Sequence, residues 1–205
     1  MNAAIGVLLA LFSRQNTGKG QYIDISMTDG MVGFLPAALF FRQLTGQEPK
    51  RADGLLSHRY ACYNTYETAD GRYLSIGAVE NRFWKQLCDT LEVPEYAPLQ
   101  YDDQRREEIL QHLRTTFQQK TLDQWDAVLG DLDICWGRIQ STREVLEDPL
   151  FLQRETVVEI EGHDGKKSKT LGVSVKLSET PGSVRTPPVN FGESTAAILQ
   201  EMGYT

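Results

Sequence analysis

Residues 60–91 read YACYNTYETADGRYLSIGAVENRFWKQLCDTL, and this stretch decides the fold. A first strand runs into the turn dipeptide Asp70-Gly71, and Tyr73-Leu74-Ser75-Ile76 forms a second short extended run. Phe83, Trp84, Leu87, Cys88 and Leu91 then recur at helical spacing, so a helix follows, entered through Gly77-Ala78-Val79-Glu80-Asn81. Glu80 therefore stands where a strand hands over to a helix. Free N–H groups and the helix dipole favour negative charge at such a point. Its carboxylate is either a first-turn helix acid or a group available for chemistry.

On the C-terminal side, a polar segment with Pro94 and Pro98 leads to a helix expected over residues 102–117. Thr121 and Gln124 make a capping box for a helix to Leu129. Ser141 and Glu144 repeat that pattern after an extended run at residues 134–139. Residues 156–160 and 169–175 read as strands around a polar turn at 162–165 that contains His163. Residues 184–188 form a proline-limited strap, and 194–202 a last helix closed by Gly203. Short helices alternating with strands make this part an α+β domain.

On the N-terminal side, residues 45–57 form a polar connector with Gly46, Pro49 and Gly54, where a domain boundary is placed. Before it, residues 3–14 read as a helix stopped by Asn16-Thr17-Gly18-Lys19-Gly20. Residues 21–26 read as a strand. A second apolar helix, capped by Thr28 or Asp29, runs to Leu44 with Pro36 as a kink. Gly18-Lys19-Gly20 lacks the spacing and the strand-to-helix setting of a phosphate loop, and reads as a helix stop. Entry into a buried-type helix at Ala3 leaves no room for a preceding element, so the chain is expected to belong to a longer architecture.

The chain has 205 residues, 40% hydrophobic and 24% charged, which suits one or two soluble domains. Its net charge of -7 and the lack of a basic stripe exclude a nucleic-acid backbone as the expected partner. The apolar run at residues 3–12 is too short for a bilayer crossing of about 20 residues and has no basic leader, so no membrane partner is expected. Cys62, Cys88 and Cys135 form no CxxC pair, and an odd count suits a reducing compartment, the cytoplasm.

His58, His112 and His163 are scattered without ligand spacing, so no metal is expected. His58, in Ser57-His58-Arg59-Tyr60, is a candidate acid/base or an anion contact together with Arg59; a solvated loop is the plainer reading. Tyr60, at the entrance to the hairpin, is the second candidate for substrate binding. Trp84, Trp125 and Trp136 read as core anchors. Neither a GxSxG elbow nor an HExxH motif is present.

From end to end the chain resembles the C-terminal portion of family III CoA-transferases, the family of formyl-CoA and carnitine CoA-transferases and α-methylacyl-CoA racemases. The residues that carry the resemblance are Thr17-Gly18-Lys19-Gly20-Gln21 leading to Asp29-Gly30, Tyr63-Asn64-Thr65-Tyr66-Glu67-Thr68 and Asp70-Gly71-Arg72-Tyr73. Glu144-Val145-Leu146-Glu147-Asp148-Pro149, Lys176-Leu177-Ser178-Glu179-Thr180-Pro181-Gly182 and the tail 199–205 complete it. The fold it implies is α/β plus α+β. Residues 1–50 would be the end of a Rossmann-type large domain with its connecting helix, 51–175 the small domain, and 176–205 a strap and helix returning to the large domain. Two chains would interlock as a homodimer.

The resemblance also implies an acyl-CoA thioester as substrate, with no permanently bound cofactor. CoA would pass between carboxylic acids through intermediates on an aspartate that lies before Ala3 in the family and so outside this chain. The chain alone is then expected to be inactive, with a separate N-terminal half as a candidate partner. Gly77-Ala78-Val79-Glu80 is similar to the Gly-Ala-Ile-Glu segment of the racemases, which supplies a catalytic glutamate. That makes Glu80 the candidate catalytic residue for α-proton exchange on a 2-methylacyl-CoA, the alternative to CoA transfer. Transferases carry a glycine-rich loop where this chain has Ser57-His58-Arg59. A non-catalytic binding or assembly module is the third reading.

Overall fold

Strands β1 (Tyr63–Glu67) and β2 (Tyr73–Gly77) pair antiparallel, with Tyr63 opposite Gly77 and Glu67 opposite Tyr73. They form the expected hairpin in this computed structural model, which describes residues 1–48, 50–51, 53–162 and 165–204. Gly71 turns the chain at φ 70°, a conformation that glycine adopts without strain. The Asp70 carboxylate accepts from the Thr68 hydroxyl at 2.5 Å and from the Leu122 amide at 3.2 Å, tying the turn to the helix that starts there. The short strand β3 (Trp136–Arg138) completes a sheet of order β1-β2-β3, and the Gly77 amide reaches the Cys135 carbonyl at 2.7 Å.

Helices α4 (Asn81–Thr90), α5 (Arg106–Phe117) and α6 (Leu122–Leu129) cover the inner face of this sheet. Tyr66, Leu74 and Ile76 of the strands meet Trp84, Leu113 and Trp125 of the helices in one buried core. Both indole N–H groups are satisfied: Trp84 donates to the Tyr96 carbonyl at 3.0 Å and Trp125 to the Phe117 carbonyl at 2.8 Å. The Thr121 and Gln124 capping box forms as read, with both reciprocal bonds present. The helix expected from 102 starts later, at Arg106. Asp102 accepts from the amides of Gln104 and Arg105, an Asx turn that delays it, and a 3-10 helix, Pro94–Leu99, precedes that turn.

The N-terminal segment consists of α1 (Asn2–Thr17), α2 (Met27–Val32) and α3 (Pro36–Thr45). Gly18 ends α1 at φ 72°, as the sequence implies. Two expectations fail here. Residues 21–26 form no strand, because a strand needs a ladder and the described residues offer them no partner. The single kinked helix is two helices: the Ser26 hydroxyl, not Thr28 or Asp29, caps α2 by accepting from the Asp29 amide, and Pro36 begins α3 at the position where its missing N–H costs nothing. None of the residues in these three helices is buried.

The chain divides into two compact units, Met1–Gly137 and Arg138–Thr205. The second contains α7 (Thr142–Glu147) with its Ser141 and Glu144 capping box, and α8 (Pro149–Gln153) capped by Asp148. The antiparallel pair β4 (Val157–Glu161) and β5 (Lys167–Leu171) follows, and α9 (Thr195–Glu201) comes last. The second strand expected here is shifted toward the turn, which ends at Gly165 with φ 74°. Pro49, His163 and Thr205 lie outside the described residues. No helix of the described residues is long and apolar enough to cross a membrane.

Candidate functional site

Glu80 is the N-cap of α4, with extended backbone at φ -71° and ψ 134°. Its carbonyl accepts the first helical bonds, from the amides of Phe83 at 3.0 Å and Trp84 at 3.1 Å. Its carboxylate is exposed and makes no capping hydrogen bond. Glu80 therefore occupies the helix-start position read from sequence without doing a cap's usual work, and an acid is left uncommitted beside the positive end of a ten-residue helix.

The peptide before it is held from a distant part of the chain. The Gln100 amide donates to the Ala78 carbonyl at 3.1 Å and to the Val79 carbonyl at 2.8 Å, and the Tyr101 hydroxyl donates to the same Val79 carbonyl at 2.5 Å. Burial, with the nearby Cys62 and the Glu80 charge adding to it, pushes the Tyr101 phenol up to about 12, so it stays protonated and able to donate at neutral pH.

Tyr60 joins this arrangement. Its ring meets Tyr101 edge to face with centroids 5.3 Å apart, and its hydroxyl donates to Asp103 at 2.9 Å. Arg59 lies between two carboxylates, with nitrogens 2.7 Å from Asp103 and 2.5 Å from Asp53; Arg106 approaches Asp53 at 3.0 Å. The hydrogen bond from Arg106, with Arg59 adding to it, holds Asp53 below the usual carboxylate value, and the bond from Arg59 does the same for Asp103. The Arg59 charge is balanced by these acids.

His58 goes elsewhere. Its backbone is left-handed, at φ 66°, and its carbonyl accepts from the Asn64 side chain at 3.1 Å. With Thr65, Ser75, Cys135 and Trp136 it lines an open groove of about 490 Å³ along the sheet. The structure thus links Tyr60, through Tyr101, to the peptide that carries Glu80, and places His58 on that groove. Trp136, read as a core anchor, packs half-buried against the core and also borders the groove. His112 is exposed and rests edge-on against Tyr96. Among the described residues, no group of three or more His, Cys, Asp or Glu could hold a metal.

Gln100, Tyr101 and Asp103 escape a reading of the sequence. They follow a proline-containing segment some twenty residues from Glu80, and only the tertiary fold brings them to it. The nearest local signal is the polar, aromatic run after Pro98.

Comparison with known proteins fixes the family. Residues 1–195 match the profile of CoA-transferase family III. The chain is similar to succinyl-CoA–D-citramalate CoA-transferase of Chloroflexus aurantiacus, 29% identical over 98% of this chain and 51% of that protein. It is similar to alpha-methylacyl-CoA racemase of Mus musculus, 30% identical over 98% of this chain and 52% of that protein. Among solved structures it resembles a CAIB/BAIF family protein from Brucella suis, with TM-score 0.72 and 27% identity over 97% of this chain and 52% of that one. The chain spans about half the length of the curated relatives it matches. It belongs to CoA-transferase family III.

Proposed function

We propose that this chain is the C-terminal part of an enzyme acting on acyl-CoA thioesters, completed by an N-terminal half that carries the principal aspartate. Residues 1–50 then end a Rossmann-type large domain, 51–175 form the small domain, and 176–205 return to the large one. The protein works in the cytoplasm as an interlocked homodimer, with the CoA thioester as substrate and no resident cofactor, and the isolated chain turns nothing over. The exposed apolar side chains of α1 and α3 support a missing partner there.

Two chemistries fit such an enzyme, and the free carboxylate of Glu80 moves the weight to one of them, α-proton exchange on a 2-methylacyl-CoA. In that step a base takes the α-proton, the C–H electron pair moves into the thioester as an enolate, and a proton returns to either face. Glu80, a carboxylate that caps nothing, acts as that base or orients it. CoA transfer between carboxylic acids through aspartyl intermediates is the second reading, supported by the similarity to a succinyl-CoA-dependent transferase. His58 and Tyr60 contact the thioester in either case. The test is co-expression with the N-terminal half of a relative, followed by deuterium wash-in at the α-carbon and an acyl-exchange assay. Wash-in without acyl exchange supports racemisation, and acyl exchange supports transfer. An assembled complex with neither activity overturns both and leaves a binding module.

A further inference from the structure

The backbone of Glu80 is fixed on both sides while its carboxylate is left free. On the helix side, the amides of Phe83 and Trp84 hold the Glu80 carbonyl. On the strand side, the Val79 carbonyl receives Gln100 at 2.8 Å and Tyr101 at 2.5 Å. A carbonyl oxygen has two lone pairs, so these two donors saturate it. Because the peptide is planar, orienting the Val79 carbonyl also orients the Glu80 nitrogen and, with the helix, the direction in which the Glu80 side chain leaves the backbone.

The donors carry signs of dedication to this peptide. Gln100 is 7% exposed, its amide nitrogen reaches the carbonyls of Ala78 and Val79 and, at 3.1 Å, the hydroxyl of Tyr101, the other donor to Val79, and its buried Oε1 has no hydrogen-bond partner among the described residues. A buried amide with an unmet acceptor is an uncommon arrangement that a core built for stability alone avoids. Tyr101 is 40% exposed as a residue, and its hydroxyl is turned onto the Val79 carbonyl with Tyr60 edge-on against its ring.

We propose that Gln100 and Tyr101 are positioning residues that lock the Val79–Glu80 peptide and thereby aim the Glu80 carboxylate at the substrate α-carbon. This rests on the acid–base role proposed above for Glu80. They touch no reacting atom and act through Glu80 alone, which sets them apart from residues that merely hold the fold.

That distinction is testable by a double-mutant cycle in the assembled enzyme, using Tyr101→Phe, Glu80→Gln and the pair. Tyr101→Phe is expected to lower kcat for wash-in about tenfold while leaving KM for the thioester within about twofold, the signature of a contact that matters in the transition state. Added to Glu80→Gln, it should change nothing further. An equal loss in both backgrounds, or no loss beside an intact Glu80, overturns the positioning role. A fully active Glu80→Gln enzyme instead overturns the acid–base reading on which it rests.

The purified chain supplies a second arm that needs no turnover. In Tyr101→Phe and, independently, Gln100→Met, the backbone order parameter of the Glu80 amide should fall from about 0.85 toward about 0.6, with far-UV circular dichroism unchanged. A rigid Glu80 amide in both variants overturns the lock.

Discussion

Residues 63–129 and residues 2–45 are both rich in apolar side chains, and they use them in opposite ways. In the first region Leu113, Leu122 and Leu129 are fully buried beneath the hairpin. In the second, Phe12 is 67% exposed and Phe34 79% exposed, and none of the residues in α1, α2 or α3 is buried. Apolar burial contributes stability only where a facing surface exists. The hairpin and α4 to α6 supply one another's surface, and α1 to α3 supply almost none. The core of this chain is thus built within residues 61–129, and its three N-terminal helices contribute no buried residue to it.

That contrast can be broken by substitution. Trp84→Ala removes a buried indole with a satisfied N–H and should cost about 3–5 kcal/mol in urea unfolding. A loss below about 1 kcal/mol would mean that the core does not carry the domain. Arg59→Met should give a smaller effect with a pH signature. Asp53 and Asp103 are held below the ordinary value of 3.8, so their folded-state advantage is present above that value and is lost as pH falls through their lowered values. The variant should therefore be less stable than the parent at pH 7, with the gap closing below pH 3.8; a gap constant across that range contradicts the ion-pair account. Phe12→Ser should change the stability of the chain by less than about 0.5 kcal/mol, since that side chain is 67% exposed. A large loss there would show α1 to be part of the core.

The same contrast explains what could be read from the sequence. The strand–turn–strand order around Asp70-Gly71, the spacing of Phe83, Trp84 and Leu87, and both capping boxes are legible because local rules and tertiary packing agree at those positions. Residues 21–26 carry a strand pattern, but a strand is completed by a neighbour and they have none among the described residues. Pro36 misled for a related reason: it kinks a helix in midcourse and begins one at the first position, and local sequence does not separate the two. Glu80 stands out in the sequence because a motif and a helix start coincide on it, and the structure bears out the helix start. Tyr101 and Gln100 do not stand out, because their bonds to Val79 and Ala78 cross more than twenty residues and no short spacing encodes them.

The most direct measurement is α-deuterium wash-in into a 2-methylacyl-CoA by the chain assembled with an N-terminal half, comparing the parent with Glu80→Gln. A general acid–base residue contributes about 10²–10⁴-fold, so wash-in should fall by at least about 100-fold while thioester binding is retained. Wash-in at the parental rate would contradict the account and leave Glu80 as the N-cap of a helix.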